Sequence, residues 1–126
     1  MLFHCAVSLG EIIDKVTILQ IKQLMITDES KLIFIRDEVD LLNSTFSQEL
    51  KHFNQLKDNL YEVNLRLWHV EDALRAKEKL GDFGDQFVHL ARQVYTLNDH
   101  RADIKKKINL ESGSRLVEAK SYTEYI

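Results

Sequence analysis

Apolar residues recur at seven-residue intervals along the central part of this chain, and this period limits the folds open to it. Seven apolar residues form the first series: Leu32, Val39, Phe46, Phe53, Leu60, Leu67 and Leu74. Three residues further on, five of seven companion positions are apolar: Ile35, Leu42, Glu49, Leu56, Val63, Val70 and Lys77. Alternating spacings of three and four are typical of a helix that packs along a coiled-coil-like seam. The pattern therefore predicts a long helix over 31–80.

The segment 43–47 is the weak point of this predicted helix. Its sequence, Asn-Ser-Thr-Phe-Ser, has four polar residues that compete for backbone hydrogen bonds and favour helix caps over helix interiors. The unbroken heptad register favours one continuous helix, whereas this composition favours a break. The sequence leaves both alternatives open.

A second heptad series follows a glycine-containing turn at 81–85 and predicts a helix over 85–111. It consists of Phe87, Leu90, Val94, Leu97, Arg101, Ile104 and Ile108. Facing residues of an antiparallel helix pair have a constant index sum, and a sum of 164 pairs Leu74 with Leu90 and Leu67 with Leu97. Half of this sum falls at Asp82, inside the turn, so the register and the turn predict the same helical hairpin.

Shorter elements complete the predicted domain. Ser8-Leu9-Gly10-Glu11 fits a capping box and predicts a first helix over 9–27. We expect this helix to cover the N-terminal half of the long helix, and we expect the apolar tail, 115–126, to dock on the helices. The chain 1–126 is thus predicted to be a single all-α domain, an antiparallel helical bundle built on a long coiled-coil-like helical hairpin.

Composition agrees with a helical domain and excludes several functional classes. The chain has no proline and four glycines, too few breakers for a turn-dense β-sandwich. Its net charge of −3 disfavours nucleic acid or an anionic membrane as a partner. The single cysteine, Cys5, excludes an internal disulfide or a cysteine zinc site and favours a cytoplasmic location. The lone Glu49-x-x-His52 motif has no second copy, so we expect neither a metal nor a cofactor.

A second stripe of polar and aromatic residues lies beside the apolar seam on each helix of the predicted hairpin. In an antiparallel pair the two stripes flank the same side, which predicts a shallow groove with aromatic walls and charged borders. The candidate groove residues are Tyr61, Asn64, Trp68, Glu71, Asp72, Arg75, Arg92, Tyr95, Asn98, Asp99 and Arg101. The groove is either packing surface for the first helix or a second subunit, or a binding site.

Arg101 stands at a seam position, opposite Val63. A buried guanidinium requires a carboxylate or a bound anion, because its burial alone costs several kcal/mol. We predict that Arg101 pairs with Glu11, Asp14 or Asp99. If the pair is structural, we expect Arg101→Met to keep or raise stability, and loss of the carboxylate alone to destabilise the fold.

Several segments resemble a family of short helical bacterial proteins that carries only a domain-of-unknown-function label. The similar segments are 7–19, Leu67-Trp68 with Glu71-Asp72, Lys77-Glu78, 81–84, Ala91-Arg92 with Tyr95, Asn98-Asp99, Arg101-Ala102, Lys105 and 118–122. The resemblance spans most of the chain and implies no established activity. It implies an association with surface-polysaccharide biosynthesis.

These patterns leave two classes of function. The first is a non-enzymatic helical interaction or assembly module that forms a homodimer or binds a protein partner. The second is a small helical enzyme or ligand-binding protein with an anion-binding groove. A groove filled by the first helix or by a second subunit favours the module, whereas an open groove with converging arginines and carboxylates favours the ligand-binding protein.

Overall fold

The protein is all-α, and the computed structural model describes all of its residues, 1–126. Five helices follow one another along the chain: α1 (Leu9–Met25), α2 (Glu29–Thr45), α3 (Ser47–His52), α4 (Asn54–Leu80) and α5 (Asp85–Glu111). They form an antiparallel helical bundle built on the long hairpin of α4 and α5. None of the helices combines the length and the apolar character needed to cross a membrane.

The α4–α5 hairpin turns at Gly81, whose φ of 66° is left-handed and favours glycine. The Asp82 N–H donates to the Lys77 carbonyl oxygen at 3.0 Å, as in a Schellman motif. Residues of the two heptad series are buried between the helices: Leu60, Val63, Leu67 and Val70 from α4, and Leu97, Ile104 and Ile108 from α5. This shared apolar face holds the hairpin together.

The stretch 31–80 is divided into α2, α3 and α4. The breaks fall at Phe46 (φ −116°, ψ 28°) and Phe53 (φ −97°, ψ 27°), where neither residue has helical ψ. The first break lies inside the polar segment 43–47. Beyond it the heptad position Phe53 stays in the core, but the companion position Glu49 is exposed and its neighbour Leu50 is buried instead. The apolar spacing therefore shifts by one residue where the chain changes direction.

Helix α1 lies on the hairpin, antiparallel to α5 and thus parallel to α4. The Gly10 N–H donates to Asn109 Oδ1 at 2.8 Å, and one turn later Asp14 accepts hydrogen bonds from Arg101. As expected, the first helix packs on the N-terminal part of the segment 31–80, which is α2, but it also lies along α4, because the chain reverses between α2 and α4. A Cβ on Gly10 would lie 2.7 Å from the Lys105 carbonyl oxygen, so glycine lets α1 sit directly on α5.

Helix α2 returns along α1 and places an apolar face toward it. Leu32, Ile35 and Val39 are buried with Leu19 of α1 in a second apolar cluster. Since α1 is parallel to α4, α2 runs antiparallel to α4, and the short α3 reverses the chain between them. The opposite face of α2 leaves large apolar side chains in solvent: Ile33, Phe34 and Leu41, which are 62%, 76% and 49% exposed.

The tail, residues 115–126, follows α5 without forming a helix. Two polar side-chain contacts hold it along α5. Lys105 Nζ lies 3.5 Å from Glu118 Oε2, and the Tyr125 hydroxyl donates to Asp99 Oδ2 at 2.8 Å. The tail adds no residue to either apolar cluster, so the helices form their core without it.

Candidate functional site

A buried network of polar side chains joins α1, α4 and α5 beside the apolar core. Asp14, Thr17 and Asn64 are all buried. The Asn64 side-chain amide donates to Asp14 Oδ1 and to Thr17 Oγ1, both at 2.9 Å. The Thr17 hydroxyl donates to the Asp14 carbonyl oxygen at 2.7 Å. Every buried polar side-chain atom of the protein has a hydrogen-bond partner, so the network is satisfied internally.

Arg101 closes this network from α5. Its Nε donates to Asp14 Oδ1 at 2.9 Å and its Nη2 donates to Asp14 Oδ2, which makes the pair bidentate. Of the three carboxylates predicted for Arg101, the partner is Asp14. The hydrogen bonds to Asp14 raise the pKa of the guanidinium, so Arg101 keeps its charge at every physiological pH. Nη1 alone points away from Asp14, and it donates to Asn98 Oδ1 at 3.4 Å.

An open groove begins at Arg101 and runs along α4 toward the hairpin turn. Its volume is about 630 Å³, and its lining residues come from α1, α4 and α5: Ile18, Ile21, Asn64, Leu67, Trp68, Glu71, Asp72, Arg75, Asn98 and Arg101. We call it the Trp68 groove. Helix α1 closes the end at Asp14 and contributes Ile18 and Ile21 to the wall. The groove is therefore filled by α1 at one end and open beyond it.

The structure brings together seven of the eleven candidate residues. Those that line the Trp68 groove are Asn64, Trp68, Glu71, Asp72, Arg75, Asn98 and Arg101. Tyr95 and Asp99 lie on the other side of Asn98, against the tail, and Tyr61 and Arg92 line neither place. Ile18 and Ile21 were not predicted as groove residues, because apolar side chains on α1 are expected to lie in the core.

The charges of the groove are mixed. Glu71, Asp72 and Arg75 form no salt bridge in the protein, whereas Arg101 is paired with Asp14. Free carboxylates accept hydrogen bonds from hydroxyl or ammonium groups, and a free guanidinium donates to phosphate or carboxylate. No group of three or more His, Cys, Asp or Glu side chains is arranged to hold a metal ion.

The family follows from a comparison of the whole sequence. A family model described as a family of unknown function, DUF6165, matches residues 3–126. The chain belongs to DUF6165. No curated protein and no solved structure matches it, so no established activity comes from relatives. The Trp68 groove of this DUF6165 protein has to be interpreted from its own chemistry.

That chemistry suits binding more directly than it suits catalysis. Trp68 offers an aromatic face, two amides and two carboxylates offer hydrogen bonds, and Arg75 offers a free positive charge. No Ser, Thr, Cys, Lys, Tyr or His side chain lines the groove, and its ionisable groups are two carboxylates and two guanidinium groups. A DUF6165 groove of this kind can hold a polar molecule above an aromatic ring and fix its orientation through several side chains.

Proposed function

We propose that this protein binds a small polyhydroxylated ligand with an anionic group in the Trp68 groove. The observation that carries the proposal is the open groove itself, where free Arg75 and the bidentate-held Arg101 lie beside Glu71, Asp72 and Trp68. Carboxylates accept hydrogen bonds from hydroxyl groups, and amides both accept and donate them. An indole face packs on the C–H face of a sugar ring, and guanidinium groups bind a phosphate. A phosphorylated sugar combines these features, which supports the link to surface-polysaccharide biosynthesis that the family resemblance implies.

The only tryptophan of the chain makes this proposal directly testable, because Trp68 lies in the groove. Fluorescence of Trp68 would be titrated with inorganic phosphate, glucose and glucose 6-phosphate. We expect a saturable change with glucose 6-phosphate that is weaker with phosphate or glucose alone. Arg75→Met should weaken the binding of glucose 6-phosphate by about ten-fold, the loss of one charge-assisted hydrogen bond.

Arg92→Met is the matched control for the Arg75 variant. Arg92 is exposed on α5, makes no salt bridge and lies outside the Trp68 groove. The Arg92→Met variant should therefore bind glucose 6-phosphate as tightly as the unaltered protein does. No saturable response to any of the three probes, or equal losses in both arginine variants, would overturn the proposal.

A second candidate function rests on the exposed face of α2. Phe34 and Leu41 are seven residues apart and thus share one side of the helix, with Ile33 beside them. Large exposed apolar patches mark interfaces, and two-fold dimers are the commonest oligomers. We therefore propose that the protein is cytoplasmic and forms a homodimer in which the α2 faces of two copies pack together, in agreement with an assembly role.

Sedimentation velocity tests the dimer. The unaltered chain should sediment as a dimer, and Phe34→Glu should sediment as a monomer, because the new charge cannot be buried between two copies. Leu80→Glu changes a residue of equal exposure, 77% against 76%, at the end of α4 and serves as the control. A monomer for the unaltered chain at high concentration would refute the proposed dimer and leave the Trp68 groove unaffected.

A further inference from the structure

A second cavity lies on the opposite side of Asn98 from the Trp68 groove. It has a volume of about 950 Å³ and lies between α5 and the tail. Val94, Tyr95 and Asn98 form its α5 side, while Tyr122 and Tyr125 line it from the tail. We call it the tail cavity. Its size suits a ring of a small molecule, since ligand sites commonly enclose 300–1,000 Å³.

Three tyrosines give the tail cavity an aromatic character. The rings of Tyr95 and Tyr125 meet edge to face with centroids 4.8 Å apart. Both rings remain about half exposed, at 43% and 49%, and Tyr122 is 78% exposed. If the tail served only to cover α5, these rings would be the groups to bury. Their exposed faces instead offer unused aromatic surface for a planar partner.

The Tyr125 hydroxyl fixes the position of this aromatic surface. It donates to Asp99 Oδ2 at 2.8 Å, and this hydrogen bond raises the pKa of Tyr125, so the phenol keeps its proton at neutral pH. The second anchor of the tail is the longer contact between Glu118 and Lys105. Between these anchors no tail side chain enters the core. The tail can therefore adjust to a ligand without unfolding the bundle.

Asn98 borders both the tail cavity and the Trp68 groove, so the two spaces are adjacent. Arg101 Nη1 donates to Asn98 Oδ1, which orients the amide between the two spaces. The groups on the two sides differ in kind. The groove holds the arginines and the indole, whereas the tail cavity holds the phenol rings and the ammonium group of Lys120. Carboxylates line both spaces, and those of the tail cavity are Asp99 and Glu124.

We propose that the Trp68 groove and the tail cavity form one bipartite site, and that its ligand carries a planar aromatic ring attached to the anionic group. The anionic group lies in the Trp68 groove, and the ring lies among Tyr95, Tyr122 and Tyr125. This inference rests on the proposed function, because it assigns a second half to the ligand of the same groove. The tail supplies two of the three tyrosines that line the ring-binding surface.

Aromatic phosphates test the second half separately from the first. Inorganic phosphate, phenyl phosphate and 1-naphthyl phosphate would be titrated by calorimetry, with glucose 6-phosphate as the ligand of the groove alone. We expect 1-naphthyl phosphate to bind about ten-fold more tightly than inorganic phosphate, the gain that about one aromatic contact provides. Tyr125→Ala should remove this gain and leave the affinity for glucose 6-phosphate unchanged.

Tyr61→Ala is the matched control, because Tyr61 is a tyrosine of α4 outside both spaces. It should bind every probe as the unaltered protein does. If glucose 6-phosphate binds but the aromatic ring adds nothing, or if Tyr125→Ala has no effect on the ring-bearing probes, the bipartite site is refuted and the proposed function stands. If neither glucose 6-phosphate nor any aromatic phosphate binds, both are refuted.

Discussion

The carboxylate of Asp14 lies deeper in the protein than the guanidinium of Arg101 that pairs with it. Their side chains are 5% and 29% exposed. Arg101 reaches Asp14 from the rim of the Trp68 groove, so it can regain water if its partner is removed. Asp14 has no such route, because α1, α4 and α5 enclose it. The buried member of the pair is therefore the acid.

This depth reverses the expectation for single substitutions of the pair. Arg101→Met leaves a buried carboxylate with only the Asn64 amide as a side-chain partner, and we expect it to lower the free energy of unfolding by about 3 kcal/mol. The sequence predicted that the same change would keep or raise stability, on the premise that the guanidinium was the buried group. Chemical denaturation of the purified variants measures the difference.

The double variant Asp14→Leu with Arg101→Met serves as the internal check. It removes both charges, so it should regain part of the stability that Arg101→Met loses. Arg92→Met, an exposed arginine of the same helix, should change stability by less than about 0.5 kcal/mol. Equal stability of Arg101→Met and Arg92→Met would show that the pair contributes nothing to the fold.

Gly10→Ala should destabilise the protein, although alanine favours helices over glycine by about 1 kcal/mol. The new Cβ would lie 2.7 Å from both the Lys105 carbonyl oxygen and Asn109 Oδ1. The backbone oxygen cannot move without α5, so α1 must shift and weaken its hydrogen bond to Asn109. We expect a net loss of about 2 kcal/mol, within the range for overpacked contacts.

Gly84→Ala is the matched control for this prediction. Gly84 has a negative φ of −75°, and its added Cβ would lie 3.4 Å from Asp82 Oδ1, at the edge of ordinary van der Waals contact. Thermal melts should place this variant close to the unaltered protein and Gly10→Ala well below it. Melting temperatures that fall together would argue against the close α1–α5 contact.

The hairpin turn should lose stability in acid. The hydrogen bond from Lys77 and the N–H of Gly84 lower the pKa of Asp82 below its usual range. The folded state thus favours the carboxylate, so its stabilising contribution is complete above the pKa of the unfolded chain. It is lost as pH falls through the lower folded pKa. Carboxyl NMR titration of Asp82 would measure this pKa directly.

Lys77→Met provides the comparison for the pH titration. Since Lys77 is the main cause of the shift, this variant should bring the pKa of Asp82 back toward its ordinary value. Lys79→Met, on the same last turn of α4, should leave it lowered. An Asp82 pKa that does not respond to Lys77→Met would contradict the assigned contact.

The hairpin could be predicted from the sequence because two independent patterns indicate it. A repeating apolar spacing marks buried faces, and the turn at Gly81 lies at the midpoint of the matched series. The groove followed from the hairpin: residues beside the apolar face of α4, such as Asn64, Trp68 and Arg75, line one side of it. Tyr61 and Arg92, which the sequence also placed in the groove, do not line it.

The course of the chain before α4 could not be predicted from the sequence in the same way. Phe46 and Phe53 both pack against the core although the chain changes direction at each of them, so their seven-residue spacing does not reveal the breaks. The position of α1 depends on Gly10 and on the contact of Asp14 with Asn64. The contact of Asp14 with Arg101 was among the predicted pairs, whereas nothing in the α1 pattern indicated Asn64, which is 50 positions away in sequence.

Lys105 forms a second set of ion pairs in which one partner is more deeply buried than the others. Here too we expect the greatest loss of stability when the buried partner is left without its counter-ion. Its side chain is 11% exposed and contacts Glu11 at 2.8 Å and Glu118 at 3.5 Å, but those two side chains are 47% and 46% exposed. Here the base is the buried member. Lys105→Met should therefore change the free energy of unfolding by less than about 1 kcal/mol, because both carboxylates return to water and the aliphatic packing is kept.

The double variant Glu11→Gln with Glu118→Gln leaves the ammonium group without an anion and should destabilise the fold by about 2 kcal/mol, below the range for a fully buried pair. Glu29→Gln, in the first turn of α2, controls for the loss of a negative charge at a helix N-terminus. Urea denaturation of the three variants measures these differences. If Lys105→Met is less stable than the double glutamine variant, the relative burial of the two partners does not determine which substitution destabilises the fold more.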